Sequence, residues 1–188
     1  MQSHPKQLKS AEEYIKQLNL SPHPQGCGYF AETDRNPLKV NLEKNGNAQE
    51  RNLSTCIIAL FKGGQINPLH KTNSTQIIHY YPGSNSNLLV HIIENNGKLI
   101  TYRMPEVFQL KIPSQTWFAL EVEAKEESSF AITGHTVTPG FDMNDFELAN
   151  RQALTFQYPD LAAFIKKLTL ENKSSCSLSS QDRVKLLE

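Results

Sequence analysis

From Tyr29 to Val137 the chain never runs far without a turn residue. Short apolar stretches are cut at close intervals by Gly, Pro, Asn, Asp and Ser, which leaves no room for long packed helices. The stretches Tyr29–Thr33, Leu38–Leu42, Ser54–Phe61, Gln76–Tyr81, Leu88–Ile93, Leu99–Arg103, Gln109–Ile112, Trp117–Glu123 and Phe130–Val137 read as strands. That is the pattern of an all-β sandwich or barrel. Asn96-Gly97, between two of them, predicts a hairpin with a type I′ turn, in which both central residues take positive φ.

Helices flank this β region. Ser10-Ala11-Glu12-Glu13 has the form of a capping box, and Ala11, Tyr14, Ile15 and Leu18 then share one face, predicting a helix over 11–19. Pro159 can open a second helix, about 159–169, whose stripe of Leu161, Phe164, Ile165 and Leu168 would pack outside the barrel. Residues 1–9 read as a polar lead, 10–170 as one domain and the serine-rich 171–188 as a mobile tail. Lys+Arg and Asp+Glu both number 19, so the net charge is zero. Neither nucleic acid nor an anionic membrane is expected as a partner, since both call for a basic face. No apolar run approaches the ~18 residues of a membrane-spanning helix, and the polar N-terminus carries no export signal, so a cytoplasmic protein is expected. Cys27, Cys56 and Cys176 have no paired spacing and make no zinc or redox motif. Cys56, in an apolar run, reads as a small core residue; Cys27 reads as a loop residue open to solvent.

One segment carries chemistry. Gly64, His70, Gln76 and Gly83 stand at the spacing of the first motif of the cupin superfamily, with Thr72 at the position of its second histidine. Period-two geometry puts His70 and Thr72 on one face, and a turn brings Gln76 back on the next strand toward the same interior. The segment Ile112-Pro113-Ser114-Gln115-Thr116-Trp117-Phe118 resembles the second motif, with Phe118 in place of a histidine. Gly28-Tyr29-Phe30-Ala31-Glu32-Thr33-Asp34-Arg35, Ile78-His79-Tyr80 and Val137-Thr138-Pro139-Gly140-Phe141-Asp142 are similar to segments of the Cupin_5 subfamily. This resemblance spans residues 11–168. It implies a jelly-roll cupin barrel (a double-stranded β-helix), commonly a homodimer, with a pocket similar to that of the dTDP-sugar epimerase-like cupins. It implies no single reaction.

Of the four ligands a metal-binding cupin uses, His70 alone is present; Thr72, Gln76 and Phe118 do not replace two imidazoles and a carboxylate. No cofactor is expected, His70 being the one position where a divalent ion would find a ligand. As a neutral imidazole His70 is the candidate catalytic base. Thr72, Gln76, Glu32, Arg35, His79 and Trp117 are the candidate ligand-binding residues. Gln76 can donate and accept, and Arg35 suits an anionic group. Glu32 and Arg35 differ in strand parity, as do Gln76 and His79, so one of each pair is expected to face out unless the strand ends or bulges between them. Tyr80, Tyr81 and Phe118 are pocket wall or plain core. Gly140 is expected at positive φ, and Asp142 either caps the next turn or orients His70. His91 and His135 read as structural, and His4 and His23 carry no argument. Together these suggest a small-molecule-binding protein, either a metal-independent epimerase or isomerase with His70 as base or a non-catalytic binder, and last a metal-dependent enzyme.

Overall fold

The computed structural model describes residues 9–23, 27–44 and 47–170; the lead up to residue 8 and the serine-rich 171–188 lie outside the described residues. The strands are β1 (Ser21–Pro22), β2 (Tyr29–Arg35), β3 (Lys39–Lys44), β4 (Asn47–Asn52), β5 (Thr55–Lys62), β6 (Ile66–Lys71), β7 (Thr75–Tyr80), β8 (Leu88–Ile93), β9 (Leu99–Met104), β10 (Gln109–Ile112), β11 (Trp117–Val122), β12 (Phe130–Thr138) and β13 (Glu147–Leu148). Six form one sheet in the order β1-β2-β5-β12-β7-β10, and five form the other, β13-β6-β11-β8-β9. All their pairings are antiparallel. The fold is the jelly-roll barrel that the short-strand pattern and motif spacing predict.

The core lies between the two sheets. Phe118, Leu120 and Val122 of β11 point into it beside Leu88, Val90 and Ile92 of β8 and face Ala59, Phe61, Ile78 and Ala131 of the other sheet. Each large side chain so buried contributes about 1.5–3 kcal/mol. The alternate residues of β11 are covered too. Ala119 packs under helices α2 (Arg151–Gln157) and α3 (Ala162–Lys167) with Leu69, Ile93, Leu154, Ile165 and Leu168. A strand covered on both faces reads as a near-continuous apolar run, which is why β11 shows no alternation and is broken only by Glu121.

Helix α1 (Ala11–Gln17) starts at the expected capping box: the Ser10 hydroxyl accepts from the Glu13 amide and the Glu13 carboxylate accepts from the Ser10 amide. Its apolar face covers Leu60, Phe130 and Ile132. At the C-terminal end, Pro159 opens a 3-10 turn that runs into α3, and the predicted stripe packs as drawn. The sequence reading missed α2, which Asn150 caps by accepting from the Ala153 amide. It also missed β4, a polar strand that pairs only with β3. Among the described residues no helix is long and apolar enough to cross a membrane.

Two turn assignments need correction. The β8–β9 hairpin exists, but only Gly97 has positive φ (83°) and Asn96 does not. The Gly97 amide donates to Glu94 O and the Glu94 amide to Lys98 O, so the loop is a longer one, a β-turn over 94–97 closed by a left-handed glycine, not type I′. Gly140 is not at positive φ either. A Cβ there would meet Asn52 Cβ, Asn52 O and Thr55 Cγ2 at 3.1 Å, so it is close packing, not backbone conformation, that favours a glycine.

Candidate functional site

One end of the barrel opens into a cavity of about 400 Å³. Its walls come from both sheets and from the segment after β12. Apolar side chains dominate: Phe30, Ile57, Ala59, Phe61, Val137, Phe141 and Phe146. Among them stand Asn67, His70, Thr72, Gln76 and His135, with Glu32, Arg35 and Asp142 also on the wall.

Bulges decide which side chains reach this space. On β6, Phe118 lies opposite His70 but Leu120 lies opposite Asn67, so β6 carries an extra residue between the two. Asn67 and His70, three apart, therefore both face inward, while Leu69 packs under α3. Pro68, which has no N–H for a ladder, sits in the irregularity. A second bulge on β2 places Glu32 opposite Ile57 and Arg35 opposite Thr55, the extra residue falling between Glu32 and Asp34. Both side chains thus face the pocket despite their parity.

His70 is 6 % exposed. Its Nδ1 lies 2.7 Å from the Pro68 carbonyl. A carbonyl only accepts, so Nδ1 carries the proton and Nε2 bears the lone pair. Burial pushes the imidazole pKa down to about 4, against a smaller upward pull from the Pro68 hydrogen bond, so the ring is neutral near pH 7. Phe118 at 4.1 Å and Phe146 at 5.1 Å (ring centroids) hold its plane. No hydrogen bond from a described residue reaches Nε2.

His135, read as merely structural, lines the same pocket. Thr133 Oγ1 donates to its Nε2 at 3.0 Å, and its Nδ1 donates to Gln76 Oε1 at 3.4 Å. Burial pushes its pKa down to about 3. With Gln76 Oε1 so engaged, the Gln76 amide N–H groups are left for the cavity. Thr72 donates its hydroxyl proton to Ser74 O at 3.0 Å, so toward the cavity it can only accept.

Arg35 is committed within the chain. Its Nε and Nη2 donate to Glu32 at 2.8 and 2.6 Å, and its Nη1 to Asn52 Oδ1 and Phe141 O at 3.2 and 3.3 Å. Hydrogen bonding to Glu32 holds the guanidinium pKa above its ordinary value. Four of five donors and the charge are matched, so the anion-holding role read for Arg35 does not fit this geometry. Asp142 caps the turn Met143–Asp145 by accepting from the Asn144 amide, as the first of its two readings expects, and pairs with Arg51 at 2.8 Å.

Two expected site residues lie elsewhere. His79 points to the outer face of its sheet, donating to Thr136 Oγ1 at 3.1 Å and accepting from Gln109 at 3.2 Å. Trp117 lines a separate groove, with the Lys71 ammonium 4.4 Å over its ring. Tyr80 and Tyr81 are not among the lining residues. Cys56 is half-buried on the outer face, its Sγ 3.6 Å from Thr136 Oγ1, rather than in the core, because it alternates with Thr55 and Ile57. Cys27 is the reverse: it is 2 % exposed and lines the pocket, its Sγ 3.0 Å from His23 Nδ1. Burial raises its pKa to about 11 and lowers that of His23. The i, i+4 spacing of His23 and Cys27 was a visible signal, but nothing local said that both residues line the cavity.

The donor set does not fit a resident divalent metal. The motif positions hold Thr72, Gln76 and the apolar Phe118, and among the described residues no group of three His, Cys, Asp or Glu is placed to bind an ion.

Residues 12–149 match the family Cupin_5, described as "Cupin superfamily (DUF985)". The chain is 32% identical over 155 residues to "Uncharacterized protein YML079W" of Saccharomyces cerevisiae, covering 75% of this chain and 76% of that one. Among solved structures it resembles a hypothetical protein from Leishmania major (TM-score 0.76, 27% identity, 87% of this chain and 100% of that one). It also resembles protein SO0799 of Shewanella oneidensis (TM-score 0.73, 24% identity, 87% and 99%).

Proposed function

The chain belongs to the Cupin_5 family of the cupin superfamily, and from that premise we propose that its barrel pocket binds a small organic molecule, with His70 as the group that meets it. One observation carries this reading: a buried imidazole, its tautomer fixed by Pro68 O, presents an unpartnered Nε2 to a cavity of about 400 Å³. That nitrogen is open to the cavity and meets no donor among the described residues, and a small organic molecule is the natural occupant of a cavity that size. Native mass spectrometry of untagged protein, with metal analysis and denaturing release of small molecules, tests it. An organic molecule retained by the wild type and lost in His70→Leu is expected. Stoichiometric metal in its place overturns the reading.

A metal-independent isomerase is the second reading, favoured by the Cys27 thiol, which lines the same cavity as His70. His70 at about 4 is unprotonated and Cys27 at about 11 is protonated, the complementary states of a proton acceptor and a proton donor. Removal of a proton α to a carbonyl by His70 and return of one from Cys27 would invert that carbon. So weak a base makes the step slow, which is why binding ranks first. Deuterium appearing in the recovered ligand after incubation in heavy water would favour the isomerase; a ligand recovered unlabelled would favour the binder.

A further inference from the structure

The charges around the pocket are all answered from within the chain. Glu32 and Arg35 neutralise each other at the more exposed part of the wall, and Asp142 is paired with Arg51. The deeper polar groups, His70, Thr72, Gln76 and His135, are each no more than 7 % exposed and carry no charge near neutral pH. Two of them face the cavity only as acceptors, His70 through Nε2 and Thr72 through Oγ1, because their protons are spent on Pro68 O and Ser74 O. Gln76 offers N–H groups, Asn67, Thr55, Cys27, His23 and Asn144 stand elsewhere on the wall, and the rest of it is aromatic and aliphatic.

An ion entering such a space would give up its hydration and find no counter-charge. A polyhydroxylated molecule would leave most of its hydroxyls against Phe and Ile side chains without partners. A flat apolar body is welcome there, provided that it brings one donor for the acceptor it meets. Resting on the pocket reading above, we propose that the pocket selects an uncharged ligand with an apolar ring and a hydroxyl or N–H that donates to His70 Nε2. Anionic ligands, nucleotide sugars among them, are excluded by the same accounting.

A matched series on one ring tests this: benzyl alcohol, toluene, benzoate and benzylammonium. The readouts are the 15N shift of His70 Nε2 and the methyl shifts of Ile57 and Val137, titrated near neutral pH with the full chain. Benzyl alcohol is expected to move both, and to bind at least about tenfold more tightly than either ion. Toluene is expected to move the methyl groups and leave Nε2 in place. In His70→Leu the preference for alcohol over toluene is expected to fall to about one. Tighter binding of benzoate or benzylammonium overturns the ligand class and leaves the pocket reading intact. Alcohol that moves the methyl groups without moving Nε2 overturns the donor assignment. If no probe at millimolar concentration moves any pocket signal, both the class and the pocket reading fall. The wild-type titration decides even if His70→Leu does not fold.

Discussion

His70 and His91 lie two strands apart in the same five-stranded sheet, and both are almost fully buried, yet they are opposite kinds of site. His91 faces outward beneath α3. Its Nε2 donates to Glu121 Oε1 at 3.1 Å, Thr101 donates to its Nδ1 at 2.9 Å, and the edge of Phe164 packs on its ring. Glu121 in turn accepts from Lys125 and Lys167 at 2.8 and 2.7 Å. Burial alone would raise the Glu121 pKa, but the two ammoniums outweigh it and hold the carboxyl at about 2. Every polar atom of this cluster has an answer inside the chain, so it works as a clasp between β8, β11 and α3. His70 has one partner and one open nitrogen. Burial therefore does not separate a structural histidine from a ligand-facing one; the count of unmet hydrogen bonds does.

The largest expected effect is a pH dependence, to which burial of His70 contributes along with burial of His91 and His135. His70 takes up a proton near pH 6.5 when unfolded but only near 4 when folded, because burial disfavours the imidazolium. The unfolded chain binds more protons in that window, so stability falls as pH drops through it, by about 3 kcal/mol from this group. His70→Leu should flatten the urea-derived stability between pH 7 and 4 by that amount. An unchanged slope would mean that His70 is not buried as described. Glu121, with a depressed folded pKa, adds its own loss only below about 4.5, as pH falls toward 2.

Next comes the clasp itself. Glu121→Ala strands His91 and two lysines and should lower the unfolding free energy by about 2–3 kcal/mol, read by urea titration at neutral pH. The pocket methyl signals should not move, since the cluster lies on the other side of β11. A smaller contrast follows at the histidines. Near pH 7.5, His91→Leu should cost about 1–2 kcal/mol by leaving Thr101 and Glu121 short of a partner, whereas His70→Leu should cost less than about 1. Equal losses would erase the distinction. The smallest effect is at the separate groove: Lys71→Ala should change stability by less than about 0.5 kcal/mol. It should alter Trp117 fluorescence and leave the His70 resonances in place.

Much of this molecule was legible before its fold was known. The capping box at Ser10, the stripe on α3 and the strands from Leu88 to Val137 follow from local propensity and period, and the structure places them where those rules do. The motif spacing likewise put His70, Thr72 and Gln76 around one cavity. What failed was everything that depends on partners far away in sequence. His91 looked partnerless because Glu121 is thirty positions on; Arg35 could be read for an anion or for a salt bridge with a neighbour, and Glu32 nearby, with Asn52 and Phe141 from afar, gives the second. Polar β4 carried no apolar signal at all; its Arg51 is buried against Asp142 and Asp145 of a segment more than ninety residues later.

The sequence by itself determined the fold class, because period and turn chemistry act over a few residues, and its resemblance to a cupin motif marked His70 as the residue to look for in the barrel. Only the tertiary structure decided which side chains face the cavity and which of them remain unanswered. One extra residue in β6 and one in β2 flip a face, bringing Asn67 in beside His70 and Glu32 in beside Arg35. Whether a buried polar atom is satisfied depends on strands that meet across a hundred residues of chain, and local pattern holds no record of that meeting.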